Sequence, residues 1–284
     1  MVGDSIERNL EVMYQTTHKA ILLNDSRPTS NTTWHPASSL SLIDRLIHER
    51  ARAWDWHRFT DRNNGDHVVA TARNSSKLKF DDANDSNSLL VDLDVTDKSS
   101  IDKAFEAAVK KFKRVDAVVN NAGYGLSGPF ETLSDKQLRQ QMDINFFGLI
   151  DVTRKALETM RDLKTGGVIQ QVTSVGSVPS FSIYCASKWA VEGFTEALSK
   201  ELKPEWGIKL TCIKPGGFRT DWTGRSMQFS EVKNDVYDHI GPRRKAQNRH
   251  HTQPGDPTKA AKVFYDLAVM DDPPLRSALG TDAY

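Results

Sequence analysis

The sequence predicts an α/β fold in which a doubly wound parallel sheet carries helices on both faces. From Asp66 onward, short β-branched apolar runs alternate with longer stretches whose apolar residues recur every three or four positions, as in βαβ units. The short runs are almost continuously apolar, which is typical of strands buried on both faces. The 284 residues, 38% hydrophobic and 26% charged, are enough for a sizeable core.

Residues 1–65 differ from the rest, and we predict an atypical leader that is partly helical or irregular. This segment is rich in Asn, Thr, Ser and His and offers a single helical pattern. The apolar residues of that pattern are Leu40, Ile43, Leu46 and Ile47. Ser38 or Ser39 is the expected N-cap.

Residues 66–284 form the predicted α/β domain. Its clearest strands are 67–72, 115–119, 167–173 and 208–213. Its helices are 99–112, about 135–160, about 182–202 and 257–267. Residues 221–257 lack a regular pattern and are expected to form a lid over the substrate. Ligands of such sheets lie at the carboxyl ends of the strands, so the site should follow Ala72, Val119, Thr173 and Ile213.

Composition excludes several classes of function. The 38 basic and 37 acidic residues give a net charge of +1, so there is no overall basic field to hold a nucleic acid. No apolar run approaches the roughly 20 residues that a membrane-spanning helix needs. Two cysteines, Cys185 and Cys212, suit a reducing compartment, and we expect a cytoplasmic protein. No His-Glu-x-x-His or Cys-x-x-Cys motif occurs, so no metal is expected.

Two residues after the first strands indicate a nucleotide site. Arg73 ends the first strand, where a guanidinium can bind a ribose 2′-phosphate, and this favours NADP over NAD. A solvated loop arginine is the alternative. Asp94 follows a short apolar stretch and could accept a hydrogen bond from an adenine amine or simply cap a turn.

Tyr184 and Lys188 lie four residues apart on one face of a predicted helix. A nearby ammonium favours the phenolate and should lower the tyrosine pKa from about 10 towards neutrality. Such a group can protonate the oxygen that develops when hydride reaches a carbonyl carbon, and Ser174 can donate a hydrogen bond to that oxygen. A surface Tyr and Lys pair without function is the alternative reading.

Together these segments resemble the short-chain dehydrogenase/reductase family, which has a Rossmann-like fold. The matching motifs are NNAG at 120–123, IN at 144–145, TS at 173–174, YCASK at 184–188 and PGGFRT at 215–220. The later stretches PGDPTKAA and PPLRSALGTDAY are similar to a branch with hydroxysteroid-dehydrogenase-like and fungal secondary-metabolism members.

The resemblance implies a role for each matching residue. Tyr184 would be the catalytic acid or base, Lys188 would assist it and hold the nicotinamide ribose, Ser174 would orient the substrate, and Asn145 would hold a water that connects Lys188 to solvent. The expected cofactor-binding residues are Arg73, Asp94, Asn120, Asn121, Ala122, Gly123, Tyr184, Lys188, Pro215, Gly216, Phe218 and Thr220. The implied activity is NADP-dependent interconversion of an alcohol and a ketone or aldehyde on a small, apolar substrate.

The chain departs from the family pattern in its glycine-rich cofactor loop. The family opens with a strand and a loop of bare backbone that holds the pyrophosphate, whereas no glycine occurs here between Gly3 and Gly65. The strand before that loop, which would be central to the sheet, is expected to be atypical or missing. The alternatives are therefore a catalytically impaired binding or scaffold protein, or a truncated or misannotated gene product.

The helix with Tyr184 also bears on assembly. Phe194, Leu198 and Trp189 recur at helical spacing and are expected in the core. In the family the same helix commonly packs across a dimer interface, so the resemblance leaves a homodimer or homotetramer open.

Overall fold

A computed structural model of the chain describes residues 41–43, 66–78, 84–224 and 226–283. The strands are β1 Ser41–Ile43, β2 His67–Ala72, β3 Ser88–Asp92, β4 Ala117–Asn120, β5 Gly125–Ser127, β6 Gly167–Val172, β7 Ile208–Pro215, β8 Met227–Phe229 and β9 Arg276–Leu279. Seven of them form a parallel sheet in the order β3-β2-β1-β4-β6-β7-β9, and β5 pairs with β8 in a separate two-stranded sheet. The predicted doubly wound α/β fold is confirmed.

The helices are α1 Lys98–Phe112, α2 Asp135–Met142, α3 Leu149–Leu163, α4 Ser182–Glu201, α5 Pro242–Arg249 and α6 Pro257–Ala268. Local signals start several of them. The Asp97 carboxylate accepts from the backbone N–H of Ser99 at 2.9 Å to cap α1, and Asp256 caps α6 by accepting from Thr258 at 2.8 Å.

The first strand lies where the sequence predicts a helix. Ser41–Ile43 were expected in a helix, but they form β1, which pairs with β2 on one side and β4 on the other. The strand expected to be atypical or missing is therefore present as three residues at the centre of the sheet. An apolar stretch of this length fits the period of a helix and that of a strand equally well. Hydrogen bonding to β2 and β4 determines that it forms a strand. The rest of the predicted helix, and the predicted N-caps Ser38 and Ser39, lie outside the described residues.

The sheet is covered on both faces by helices. Along β4, Val118 packs into a core with α1 and α3, whereas Ala117 and Val119 pack into a second core with α6. This alternation follows from successive strand residues pointing to opposite faces. The arrangement explains why the sequence of the inner strands is apolar at nearly every position.

The long helix predicted for 135–160 is interrupted. Between α2 and α3, residues Asp143–Gly148 form a π-helical segment with i→i+5 hydrogen bonds, and the helix continues to Leu163. Such segments are rare and often occur at functional sites. This one contains Asn145, whose side chain is completely buried.

One further difference concerns the surface. Trp189 was expected in the core, but it is 54% exposed on α4, while Leu198 packs against the core beneath. The segment 221–257, which lacks a regular sequence pattern, contains β8 and the short helix α5, and its role as a lid stays a prediction. Within the described part of the chain, none of the helices is apolar over a length that could cross a membrane.

Candidate active site

Tyr184 and Lys188 stand one turn apart near the start of α4, and Ser174 follows β6. The Lys188 Nζ lies 5.9 Å from the centre of the Tyr184 ring and donates to the carbonyl oxygen of Val172 at 2.8 Å. The Ser174 side chain hydrogen-bonds the phenol of Tyr184. The three side chains that the sequence singled out thus meet at the carboxyl end of β6.

Burial moves the pKa values of this pair in opposite directions. It raises the pKa of Tyr184 to about 12, against the opposing effect of the Ser174 hydrogen bond. It also lowers the pKa of Lys188 to about 8. The expectation that Lys188 lowers the tyrosine pKa is therefore not met, because desolvation of the phenolate is the largest cause of the shift and the opposing effect comes from Ser174. At neutral pH both groups are protonated.

Asn145 clamps the loop that follows β4. Its Oδ1 accepts from the backbone N–H of Tyr124 at 3.1 Å, and its Nδ2 donates to the Tyr124 carbonyl at 3.0 Å. A Cβ on Gly123 would lie 3.1 Å from the same Oδ1, a tight contact that glycine avoids. The expected role of Asn145 in holding a water stays a prediction, and the structure adds a role in fixing the backbone.

Asn120 acts inside the sheet. Its Nδ2 donates to Gln171 Oε1 at 2.9 Å and to Thr153 Oγ1 at 3.0 Å, which ties β4 to β6 and to α3. Only 3% of the residue is exposed. The last two residues of the NNAG motif, Ala122 and Gly123, line the cavity described below. The backbone N–H of Asn121 donates to the Val119 carbonyl.

A cavity of about 460 Å³ lies at the carboxyl ends of β2, β3 and β4. Four predicted residues meet in it: Arg73, Asp94, Ala122 and Gly123. The Asp94 carboxylate accepts from Thr96 N at 2.9 Å and Thr96 Oγ1 at 2.7 Å, so it also caps a turn. Four residues of the π-helical segment also line the cavity. Of these, Ile144 belongs to a motif found in the sequence, whereas Asp143, Phe147 and Gly148 were not predicted.

The PGGFRT segment follows β7. Phe218, expected to meet the nicotinamide, packs into the core beside α6 and is only 8% exposed. Thr220 is 6% exposed and caps the 3-10 turn Asp221–Thr223. Gly217 N donates to the carboxylate of Asp282 at 2.9 and 3.1 Å. Pro215 ends β7 and Gly216 N donates to the Leu279 carbonyl, so backbone bonds and Asp282 hold this segment in place.

The model of the family described as short chain dehydrogenase matches residues 62–230. The chain belongs to the short-chain dehydrogenase/reductase family. An uncharacterized oxidoreductase of Schizosaccharomyces pombe is 38% identical over 222 residues, which cover 77% of this chain and 75% of the relative. Oxidoreductase calM of Penicillium decumbens is 31% identical over 269 residues, 90% of this chain and 86% of the relative.

Solved structures agree with this assignment. A short-chain dehydrogenase from Streptomyces avermitilis superimposes with a TM-score of 0.72 at 34% identity and covers 86% of this chain and 89% of its own. The short-chain dehydrogenase/reductase assignment therefore rests on the sheet order, the motifs and the relatives together.

The family implies a nicotinamide dinucleotide, and the two ends of the site fit such a group. The cavity is lined by the small residues Ala122 and Gly123 and by the cation Arg73. At the other end, Tyr184 and Lys188 face the strand ends. The family holds the pyrophosphate with the loop that follows the first strand. The corresponding residues, 44–64, lie outside the described part of the chain, and their sequence contains no glycine.

An aromatic cluster beside Tyr184 was not predicted from the sequence. The Trp222 ring lies 5.8 Å from the Phe181 ring in a stacked arrangement and 5.4 Å from the Tyr184 ring. A Cβ on Gly125 would lie 2.8 Å from the Trp222 ring. These segments are about 40 residues or more apart in sequence, so no local pattern signals their contact.

Proposed function

We propose that the protein is an NADP(H)-dependent oxidoreductase that interconverts an alcohol and a ketone or aldehyde on a small, apolar substrate. Oxidoreductase activity of the short-chain dehydrogenase type follows from the family. The observation that carries the proposal is the meeting of Ser174, Tyr184 and Lys188 at the end of β6.

The chain's own residues can manage the proton of a carbonyl reduction. A bound nicotinamide would supply the hydride. The Tyr184 phenol, protonated at neutral pH because its pKa is about 12, would donate its proton to the substrate oxygen. Ser174 would donate a hydrogen bond to the same oxygen and hold it in place. Lys188, still largely protonated below its pKa of about 8, would stabilise the phenolate that remains.

Two features support the finer parts of the proposal. Arg73, an exposed cation at the edge of the nucleotide cavity, suits a 2′-phosphate and thus NADP. The aromatic rings of Phe181 and Trp222 next to Tyr184 suit an apolar substrate. The branch resemblance at the C-terminal end further supports a role in secondary metabolism.

We also propose a homodimer or homotetramer in the cytoplasm. Trp189 on α4 and Phe147 before α3 are 54% and 52% exposed, and apolar rings at a surface are favourable when a second copy covers them. The two cysteines are both unpaired and buried, which suits a reducing compartment.

The deciding experiment compares the wild-type chain with Tyr184→Phe. The substitution removes one hydroxyl and keeps the ring that contacts Trp222. With excess NADPH and a panel of apolar aldehydes and ketones, we expect the initial rate to fall by about 10²- to 10⁴-fold. Tyr237→Phe, in the lid, is the matched control and should keep the wild-type rate. A Tyr184→Phe chain as active as wild type would contradict the mechanism.

One observation favours the second candidate, a binding or scaffold protein: the segment after β1 lacks the glycines that let backbone N–H groups approach a pyrophosphate. Titration of NADPH against this chain, and against one whose residues 38–65 are replaced by a strand and glycine-rich loop, measures the effect. We expect tens- to hundreds-fold weaker binding by the native chain, each tenfold being about 1.4 kcal/mol. Sequencing the transcript across these codons tests the gene-model alternative.

A further inference from the structure

Asp221, His250 and His251 form a cluster that the proposed reaction does not use. Asp221 begins the turn after Thr220, and the two histidines follow α5. The ligand-capable atoms of all three lie within 4.8 Å of one another. Two atoms bound to one zinc ion at about 2.0–2.2 Å are at most about 4.4 Å apart, so small side-chain rotations would bring the set into range.

The backbone brings the two histidine rings together. His251 has a φ of 62°, in the left-handed region that few non-glycine residues adopt. The centres of the two rings are 3.9 Å apart as a result of this local conformation. His251 Nε2 lies 3.8 Å from Asp221 Oδ1. An unfavoured conformation that gathers three potential ligands is an observation that favours a site.

A second group of side chains orients His250. Its Nδ1 lies 3.1 Å from Thr223 Oγ1, and Gln253 Nε2 donates to that oxygen at 3.3 Å. A hydroxyl oxygen has two lone pairs, so Thr223 can accept from Gln253 and from a protonated Nδ1. That tautomer leaves His250 Nε2 as the atom that can bind a metal, as in many histidine sites with an outer hydrogen-bond partner.

The donor set selects the class of ion. Two imidazoles and one carboxylate suit zinc, nickel or cobalt, whereas magnesium and calcium prefer oxygen ligands alone. The His251 side chain is 59% exposed and the Asp221 side chain 17%, so an ion has access from solvent and can keep a water as a fourth ligand.

We propose that Asp221, His250 and His251 bind one divalent transition-metal ion of the zinc class. The ion links the turn Asp221–Thr223 to the end of α5. That turn carries Trp222, whose ring contacts Tyr184. Metal binding therefore fixes the part of the lid nearest the catalytic tyrosine. The proposal concerns binding and does not depend on the proposed reaction.

The test is calorimetric titration of the full chain, free of any affinity tag, with zinc chloride, together with the visible absorption of bound cobalt. We expect one ion per chain. His251→Ala and Asp221→Asn should each weaken binding by at least about tenfold, because even loss of an outer hydrogen-bond partner costs about 10- to 100-fold. Thr223→Val should cause a loss in that latter range. His239→Ala, an exposed histidine of the same lid outside the cluster, should bind like wild type.

Thermal unfolding provides a readout that does not depend on activity. Saturating zinc should raise the melting temperature of the wild-type and His239→Ala chains and leave that of His251→Ala unchanged. His251 is largely exposed, so its replacement should not prevent folding. The proposal is overturned if wild type takes up no ion, or if His251→Ala and His239→Ala bind zinc equally well.

Discussion

The strongest stability prediction concerns Glu192, which anchors α4, the helix of Tyr184 and Lys188, to the sheet. Its carboxylate is 4% exposed and lies 3.0 Å from Lys214 Nζ on β7 and 3.2 Å from Arg276 Nε on β9. Replacing Glu192 by Gln removes the charge and keeps the shape. One acceptor oxygen becomes an NH₂ group and the other accepts without a charge, so much of two charge-assisted hydrogen bonds, each worth about 1.5–3 kcal/mol, is lost.

The partial solvent exposure of Lys214 and Arg276 reduces the expected loss of stability. Lys214 is 22% and Arg276 38% exposed, so both cations can regain water, and Arg276 keeps its ion pair with Glu196. We therefore expect Glu192→Gln to lower the free energy of unfolding by about 2–3 kcal/mol, below the roughly 3–5 kcal/mol of a fully buried broken pair. The measurement is urea unfolding followed by circular dichroism.

Glu196→Gln is the matched control for this experiment. It removes an exposed carboxylate from the same helix and the same network, and exposed ion pairs contribute little. Its loss should be clearly smaller than that of Glu192→Gln. If the two variants unfold at the same urea concentration, or if Glu192→Gln matches wild type, the reasoning from burial is refuted.

Three further predictions address the cofactor, the substrate and acid stability. Arg73→Ala should weaken NADPH binding by on the order of 1.5–3 kcal/mol in calorimetry and leave NADH binding nearly unchanged, so equal losses would exclude a 2′-phosphate contact. Gly125→Ala should displace the Trp222 ring, since the new Cβ would lie 2.8 Å from it, and should raise KM for apolar carbonyl substrates. An unchanged KM would contradict the proposal that the Trp222 ring contacts the substrate. Arg276 and Lys200 lower the pKa of Glu196 from 4.5 to about 2. A depressed carboxyl pKa stabilises the folded state above pH 4.5, so the difference in urea midpoint between wild type and Glu196→Gln should shrink as the pH falls from about 4.5 to 2, and a constant difference would count against this.

The inner strands and long helices could be predicted because burial on both faces leaves a clear pattern. HVVATA at 67–72 matches β2 residue for residue, and the apolar stripe of 99–112 matches α1 within one residue. Caps such as Asp97 sharpen these boundaries. In such elements local propensity and tertiary burial agree.

The strands missed by the sequence analysis are defined by their neighbours. β9 has the sequence RSAL, with one buried residue, and it becomes a strand because Arg276–Leu279 pair with β7. β5 and β8 are three residues each and pair only with one another. β1 is similar, since Ser41–Ile43 are held by ladders on both sides. Such short segments carry too few side chains for a period to show.

The candidate site likewise contains residues that the sequence could place and contacts that it could not predict. Its motif residues could be placed at strand ends because a parallel sheet aligns all its carboxyl ends. The contact of Trp222 with Phe181, and that of Asn145 with the backbone of Tyr124, arise only when distant segments pack together. Phe218 shows the converse, because its motif position indicates a cofactor contact while its side chain fills the core.

The titration of Tyr184 and Lys188 was the least accessible to sequence reasoning. The spacing of Tyr184 and Lys188 predicts a phenol with a lowered pKa, but that inference assumes an ammonium free to act on the ring. In the structure the Lys188 ammonium donates to the Val172 carbonyl, and burial raises the pKa of Tyr184 to about 12. A phenol that holds its proton at neutral pH is ready to act as an acid but costly to use as a base. The spacing on the helix therefore predicts that Lys188 lies near Tyr184, but not the direction in which burial moves the pKa of the phenol.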